Sequence, residues 1–437
     1  MKNIHVFTLL LLLSVNLGCS EKKSTPNIAP PVATQAIIYK LNVRDFTSDG
    51  TFKAMLARLP ELKSLGVNTL VFAPIHPIGK KNRQGMLGSV YASSDFKGIH
   101  PDLGTKNDFH ELIDSCHALG LYVILEWEAT HTAADHPWVN TNPQWYKSDS
   151  LYFPAKAEAA IGILEMQDST LLDELAQSMA YWVDTFAIDG YFASSANDYP
   201  MNWWSTTLSL LKKFKPLLLL ANSSNKALLE AGFDLLADAH LYDQLPDLFQ
   251  KPMTRKTGQL VLSTPETHYH FISQHTTGRL DTLAAQRYGN RKAAMLAFLM
   301  SSILPGAPLL VAGEEVGHAV PLKSNEKNTI LWSSNPDILT FYSTLLKLRT
   351  TNEALNGDKL QTDSLSNPKL LLVRRGAGLQ TVYGLINPTD SLATMQIPLG
   401  LQGKRFTDIY TGRSVLLEKE LLLLEYSFYL LTEDATS

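Results

Sequence analysis

Between residues 36 and 313 the chain alternates between short, near-continuous apolar runs and stretches with helical spacing. Apolar runs stand at 36–43, 67–73, 121–125, 188–193, 217–221, 233–237 and 308–312, and helical patterns at 51–65, 108–119, 171–186, 203–214 and 291–303. Runs without polar alternation are expected of parallel strands buried on both faces. Strands that alternate with helices imply right-handed βαβ units. Up to eight strands fit in this interval. The predicted fold class is therefore α/β, a closed (β/α)₈ TIM barrel, in preference to an open doubly wound sheet.

A last helix is predicted over 337–349. Beyond it the texture changes to short apolar runs separated by turn residues: 369–373, 381–386, 393–397, 416–417, 421–424 and 428–431. Arg375-Gly376-Ala377-Gly378 has the composition of a hairpin loop. This is the pattern of a small C-terminal antiparallel β domain. The expected organisation is a barrel over 36–350, with an insert at 132–168, and a β domain over 351–437.

The chain's start predicts an address. Lys2 precedes an apolar run over 6–15, too short to span a bilayer as a permanent helix, and Leu17-Gly18-Cys19 follows. Residues 1–18 are expected to be a signal peptide. The Leu-Gly-Cys ending resembles a bacterial lipoprotein box, with Cys19 as the lipidation site; an ordinary signal peptide with an incidental cysteine is the alternative. Residues 19–35 are polar and proline-rich, as in a flexible tether. The expected location is the bacterial cell envelope, lipid-anchored at the outer membrane.

Composition removes other classes. Lys and Arg total 38 against 42 Asp and Glu, a net charge of −4, so nucleic acid is not an expected partner. Two cysteines cannot build a disulfide framework. Cys116, inside a helical pattern, reads as a core thiol.

Several phrases narrow the reading. Leu59-Pro-Glu-Leu-Lys-Ser-Leu-Gly-Val-Asn-Thr-Leu-Val-Phe-Ala-Pro-Ile-His-Pro-Ile-Gly79 resembles the first helix and second strand of the α-amylase family of glycoside hydrolases. Gly88-Ser-Val-Tyr91, Asp95-Phe96 and Asp102-Leu-Gly-Thr105 resemble the loop that follows. Asp189-Gly190, Leu304-Pro305-Gly306 and Gly313-Glu314-Glu315-Val316-Gly317 resemble later landmarks, in the family's order and spacing.

The resemblance implies a sugar-processing barrel, and it fails at the chemistry. Retaining members need a nucleophile and a general acid/base about 5–5.5 Å apart. The fourth-strand motif Asp-Gly-Phe-Arg-x-Asp reads Asp189-Gly190-Tyr191-Phe192-Ala193-Ser194 here. Phe192 stands for the arginine and Ser194 for the nucleophile. The fifth strand ends Ala221-Asn222, so Asn222 stands for the acid. The seventh-strand motif Asn-His-Asp reads Gln274-His275-Thr276, so Thr276 stands for the third carboxylate. A serine with no adjacent base is a poor nucleophile at an anomeric carbon, and an asparagine donates no acidic proton. No intact catalytic set is expected.

The resemblance also implies surviving sugar contacts at Tyr91, His131 and His275, with barrel-mouth packing as the rival role. Trp138, Trp145, Tyr146, Tyr152 and Phe153 either grip a glucan or pack the insert. Asp198, Glu126, Glu128, Glu314 and Glu315 are the candidate substitute carboxylates, and none stands at the vacated positions. Thr130 replaces the asparagine of a family calcium site, and His268 with His270 lacks a third ligand, so no metal and no cofactor are expected. Three functions stay open: a non-hydrolysing binder of α-glucan or maltooligosaccharide, beside envelope glycan-uptake proteins; an active α-glycosidase with displaced carboxylates; and a scaffold for envelope proteins whose cleft is filled.

Overall fold

The computed structural model describes residues 29–434, apart from 84, 149–160, 251–266, 274, 277–278, 281–282, 321, 323–324, 364, 377 and 379. The side chains of residues 161, 250, 275, 276, 279 and 280 also lie outside the description. Eight parallel strands close into a barrel: β1 (Ile38–Leu41), β2 (Thr69–Phe72), β3 (Tyr122–Trp127), β4 (Gly190–Ala193), β5 (Leu218–Ala221), β6 (Leu235–Ala237), β7 (His268–His270) and β8 (Ala307–Val311). β1 closes the ring by pairing with β8 at Lys40↔Val311 and with β2 at Lys40↔Val71.

Alternate residues of each strand face opposite sides. Ile38, Val71, Ile124, Phe192, Leu220, Tyr269, Leu309 and Val311 form one inner apolar cluster. Tyr39, Phe72, Leu125, Trp127, Tyr191 and Leu310 belong to the outer one, packed against helices. Burial on both faces is why these strands read as unbroken apolar runs.

The helices follow the sequence closely, with one exception. The predicted helix over 51–65 is two helices, Phe52–Leu56 and α1 (Leu59–Leu65). Pro60 sits in the first turn of α1, and its ring would clash with the carbonyl four residues back in a continuous helix. α2 (Lys106–Ala118) starts on a Thr105–Asp108 capping box. α3 (Ser169–Phe186) is capped by Asp168. α4 (Met201–Leu211), α5 (Arg291–Ile303) and α6 (Pro336–Thr351) are the longer helices that follow in the outer layer.

The barrel floor is tied down from several directions. Buried Arg349 on α6 donates to the carbonyls of Leu304, Gly306, Leu355 and Thr34. Residues expected to end a tether are thereby folded: Ala33–Gln35 form a turn whose Gln35 carbonyl accepts from Asn68 at 2.9 Å. Beyond α6, β9 (Leu360–Asp363), β10 (Leu371–Arg375), β11 (Val382–Asn387), β12 (Ala393–Gln396), β13 (Arg405–Asp408), β14 (Arg413–Leu416), β15 (Glu420–Leu423) and β16 (Ser427–Glu433) build the C-terminal β domain. Its main antiparallel sheet has the order β9-β10-β11-β16-β13-β14, and β12 pairs with β15. β9 and β13 were not expected, because their polar residues carry no apolar run. The expected run over 416–417 corrects to β14, which ends at Leu416, while Leu417 turns into the domain core.

Under β4 lies a buried charge network. Asp189 accepts from His117 Nε2 at 2.8 Å, from the Val123 amide at 2.7 Å and from Lys215 Nζ at 2.7 Å, and it is wholly buried. Gly190 follows because a Cβ there would stand 1.8 Å from the Leu218 carbonyl oxygen. Removing one member of a buried ion pair leaves the other charge uncompensated, at a cost of about 3–5 kcal/mol. Asp189→Asn is expected to lower the unfolding free energy by about that amount, measured by denaturant titration.

Candidate active site

The C-terminal ends of the strands form the barrel mouth, the usual place for catalytic groups in this architecture. Glu126 lies on β3 and Glu128 one residue beyond its end, and as alternate residues both point to the mouth. Glu126 is 2% exposed and bonds to three groups from other segments. Lys40 Nζ on β1 lies 2.9 Å from its Oε1, Ser194 Oγ donates to the same oxygen at 2.5 Å, and Tyr91 Oη donates at 3.4 Å. Its other oxygen, Oε2, is buried with no hydrogen-bond partner among the described residues.

Lys40 was not anticipated from sequence. Its signal was a lone cation inside an otherwise apolar strand. Lys40 Nζ also sits 4.4 Å from the centre of the Phe192 ring, a cation–π contact. Phe192 is the Cα partner of Glu126 on one side and of Leu220 on the other. Phe192, which stands for the arginine, thus carries no charge itself but supports the cation supplied by β1.

Across the mouth stand neutral groups. Asn222, just beyond β5, accepts from Tyr269 Oη at 3.3 Å. Tyr269 and Phe192 have ring centres 5.7 Å apart. A cavity of about 20 Å³ remains between Lys40, Phe192, Asn222, Tyr269 and Ser273, room for a water molecule. Burial, and then the charge of Glu126, push the phenols of Tyr91 and Tyr269 well above their usual range, so both stay neutral donors.

Glu128 has its own partners. Thr130 Oγ1 donates to it at 2.5 Å, Ser195 Oγ donates to its second oxygen, and His131 Nδ1 lies 3.8 Å away. Burial lowers the His131 pKa and Glu128 opposes that shift.

The structure thus brings Tyr91, Ser194, Glu126 and Lys40 together, with His131 and Glu128 beside them. His275 and Thr276 form a two-residue strand paired with Arg279–Leu280, beyond β7, which ends at His270. Their side chains lie outside the description. The seventh strand therefore ends earlier than expected, five residues before His275. Tyr152 and Phe153 fall outside the described residues. The other insert aromatics pack internally: Trp138 meets Trp145 edge-on at 4.9 Å, Trp145 donates to Thr170, and Tyr146 bonds Thr132. Cys19 also lies outside the described residues.

None of the candidate replacement carboxylates faces Glu126 from the opposite wall. Asp198 is exposed on the turn Ala196–Asp198. Glu128 follows the end of β3 by one residue, on the same side of the mouth as Glu126. Glu315 is turned away from the mouth that sequence assigned it, because it accepts from Tyr39, an outward-facing residue of β1, at 2.5 Å. Glu314 beside it has a buried oxygen with no hydrogen-bond partner among the described residues. Among the described residues no group of three His, Cys, Asp or Glu is arranged to hold a metal ion.

Comparisons with known proteins agree with this geometry. A family model described as alpha amylase, catalytic domain, matches residues 33–160. The barrel with its C-terminal sheet overlays a maltogenic α-amylase of Thermotoga neapolitana with a TM-score of 0.82, at 20% identity, over 93% of this chain and 100% of that one. The fold is that of the α-amylase family. An α-amylase of Geobacillus thermoleovorans in complex with acarbose overlays this α-amylase-like chain with a TM-score of 0.76, at 17% identity, over 93% of this chain and 100% of that one. In sequence, an α-1,4-glucan:maltose-1-phosphate maltosyltransferase of Rhodospirillum rubrum is 36% identical over 138 residues, which are 28% of this chain and 20% of that protein. The chain thus spans about a fifth of that transferase's length.

Burial raises the Glu314 carboxyl pKa well above its ordinary value of 4.5. Unfolding releases the group to that ordinary value. Its stabilising contribution is therefore complete below about pH 4.5 and is lost as pH rises toward the raised value. Glu314→Gln removes this loss. The melting temperature of the variant relative to the parent is expected to rise between pH 5 and pH 8, followed by calorimetry at roughly unit steps of pH.

Proposed function

We propose that this protein is an α-amylase-like, non-hydrolysing binder of α-glucan or maltooligosaccharide. One observation carries the loss of hydrolysis. The central carboxylate, Glu126, is committed to Lys40, and the acid/base position opposite is Asn222 bonded to Tyr269. A displacement at an anomeric carbon needs a nucleophile on one side of the sugar and a proton donor on the other. Glu126 and Glu128 stand on a single wall and cannot flank a ring. Retention of glycan binding is supported by Tyr91 and His131 at the mouth and by the acarbose complex of the similarly folded Geobacillus enzyme.

A second reading has one specific support. The carboxylate of Glu126 reaches the vacated nucleophile position, 2.5 Å from Ser194 Oγ. An active glycosidase with displaced carboxylates would use it, provided that Lys40 lets go. A third reading, a scaffold for envelope protein partners, draws on the small central cavity. For location we propose attachment to the bacterial outer membrane through a lipid on Cys19. Glycan-uptake proteins of the envelope would then be its neighbours. Among the described residues, no helix is long and apolar enough to cross a membrane.

The test is one panel of maltooligosaccharides on the purified chain. Calorimetry is expected to give a measurable Kd, and reducing-end assay is expected to give no turnover above the uncatalysed rate. Turnover that disappears in Glu126→Gln establishes the displaced-carboxylate enzyme instead.

A further inference from the structure

We infer that Phe192 and Lys40 deny a sugar ring the centre of the barrel, so that this chain takes α-glucan only as an extended segment lying across the mouth. The inference rests on the oligosaccharide-binding reading and specifies how that binding works.

Two obstacles coincide. The first is steric. At the level of Glu126, β4 presents Phe192, which is 3% exposed. Its ring, the Lys40 ammonium 4.4 Å away and the Tyr269 ring 5.7 Å away form a continuous floor. The pocket between them, about 20 Å³, has room for a water molecule. The second obstacle is electrostatic. A ring placed against Glu126 must part it from Lys40, and both are buried. Separated buried charges are costly unless new partners replace the lost ones, and sugar hydroxyls are neutral partners.

A ligand held only from the rim makes few contacts per sugar unit. Its affinity must accumulate with chain length. The site also has no reason to prefer acarbose, whose terminal unit imitates a flattened, positively charged sugar. Preference for such mimics comes from groups that stabilise the transition state, and here the carboxylate that would supply it already has a cation.

Calorimetry on the full chain with maltose, maltotetraose, maltoheptaose and acarbose tests this. For the parent, affinity is expected to rise about tenfold or more from maltotetraose to maltoheptaose, with acarbose within about threefold of maltotetraose. Phe192→Ala opens the floor and is expected to gain about tenfold or more for acarbose while maltoheptaose changes little. Phe192→Val is the milder variant should the alanine form fail to fold, with melting curves recorded for both. A parent that prefers acarbose over maltotetraose by about a hundredfold overturns this inference alone. Variants that fold and gain nothing for acarbose overturn it as well. Binding by the variant but not by the parent overturns the oligosaccharide-binding reading and leaves the exclusion intact. No binding by either protein overturns both.

Discussion

A lysine and a glutamate share the inside of this barrel, and the rest of the mouth is arranged around that pair. Lys40 and Glu126 are both nearly inaccessible and lie 2.9 Å apart. A buried charge survives only when it is paired and hydrogen-bonded. Ser194 and Tyr91 add hydrogen bonds to the carboxylate, and Phe192 offers its ring face to the ammonium. Each is a small or neutral group that complements an ion pair. The arrangement stabilises a buried charge pair at the mouth of the folded barrel.

The scaffold does not depend on that chemistry. Its rigid points lie elsewhere: Asp189 with His117 and Lys215 under β4, and Arg349 across the floor. These groups hold strand ends and helices in register from the outer layer. The mouth residues lie at the opposite ends of the strands. A barrel can therefore lose its carboxylates at Ser194 and Asn222 without losing the positions those residues occupy. Function sits in a site grafted on a fold, and the two can part company.

The same separation explains what was legible in sequence. Strands buried on both faces announce themselves as unbroken apolar runs, and Asp189-Gly190 and Ala221 fix the alignment next to the altered positions. Burial on both faces also hides which residues point inward. That is why Lys40 could not be placed: it stands out as a lone cation, but in an apolar run its parity has no signature until β1 is paired with β8 and β2. Glu314 and Glu315 misled for a related reason. They follow β8 closely, but the turn Glu314–Val316 swings back over the outer layer, where Tyr39 waits. Pro60 was readable and overlooked, since the apolar spacing around it is helical on both sides. β9 and β13 carry Gln361, Asp363, Arg405 and Asp408, and their strand character comes from neighbours in the sheet.

The pair also bears on how the altered positions depend on one another. An arginine in place of Phe192 would put a second cation within reach of Lys40, with Glu126 to answer both. An aspartate in place of Ser194 would set a second carboxylate against Glu126, one of whose buried oxygens has no partner among the described residues. Either restoration alone introduces an unbalanced buried charge. Made together, the two changes balance in charge, yet Lys40 still competes for the acids. The altered positions are therefore coupled through Lys40 on β1, a residue that lies outside them.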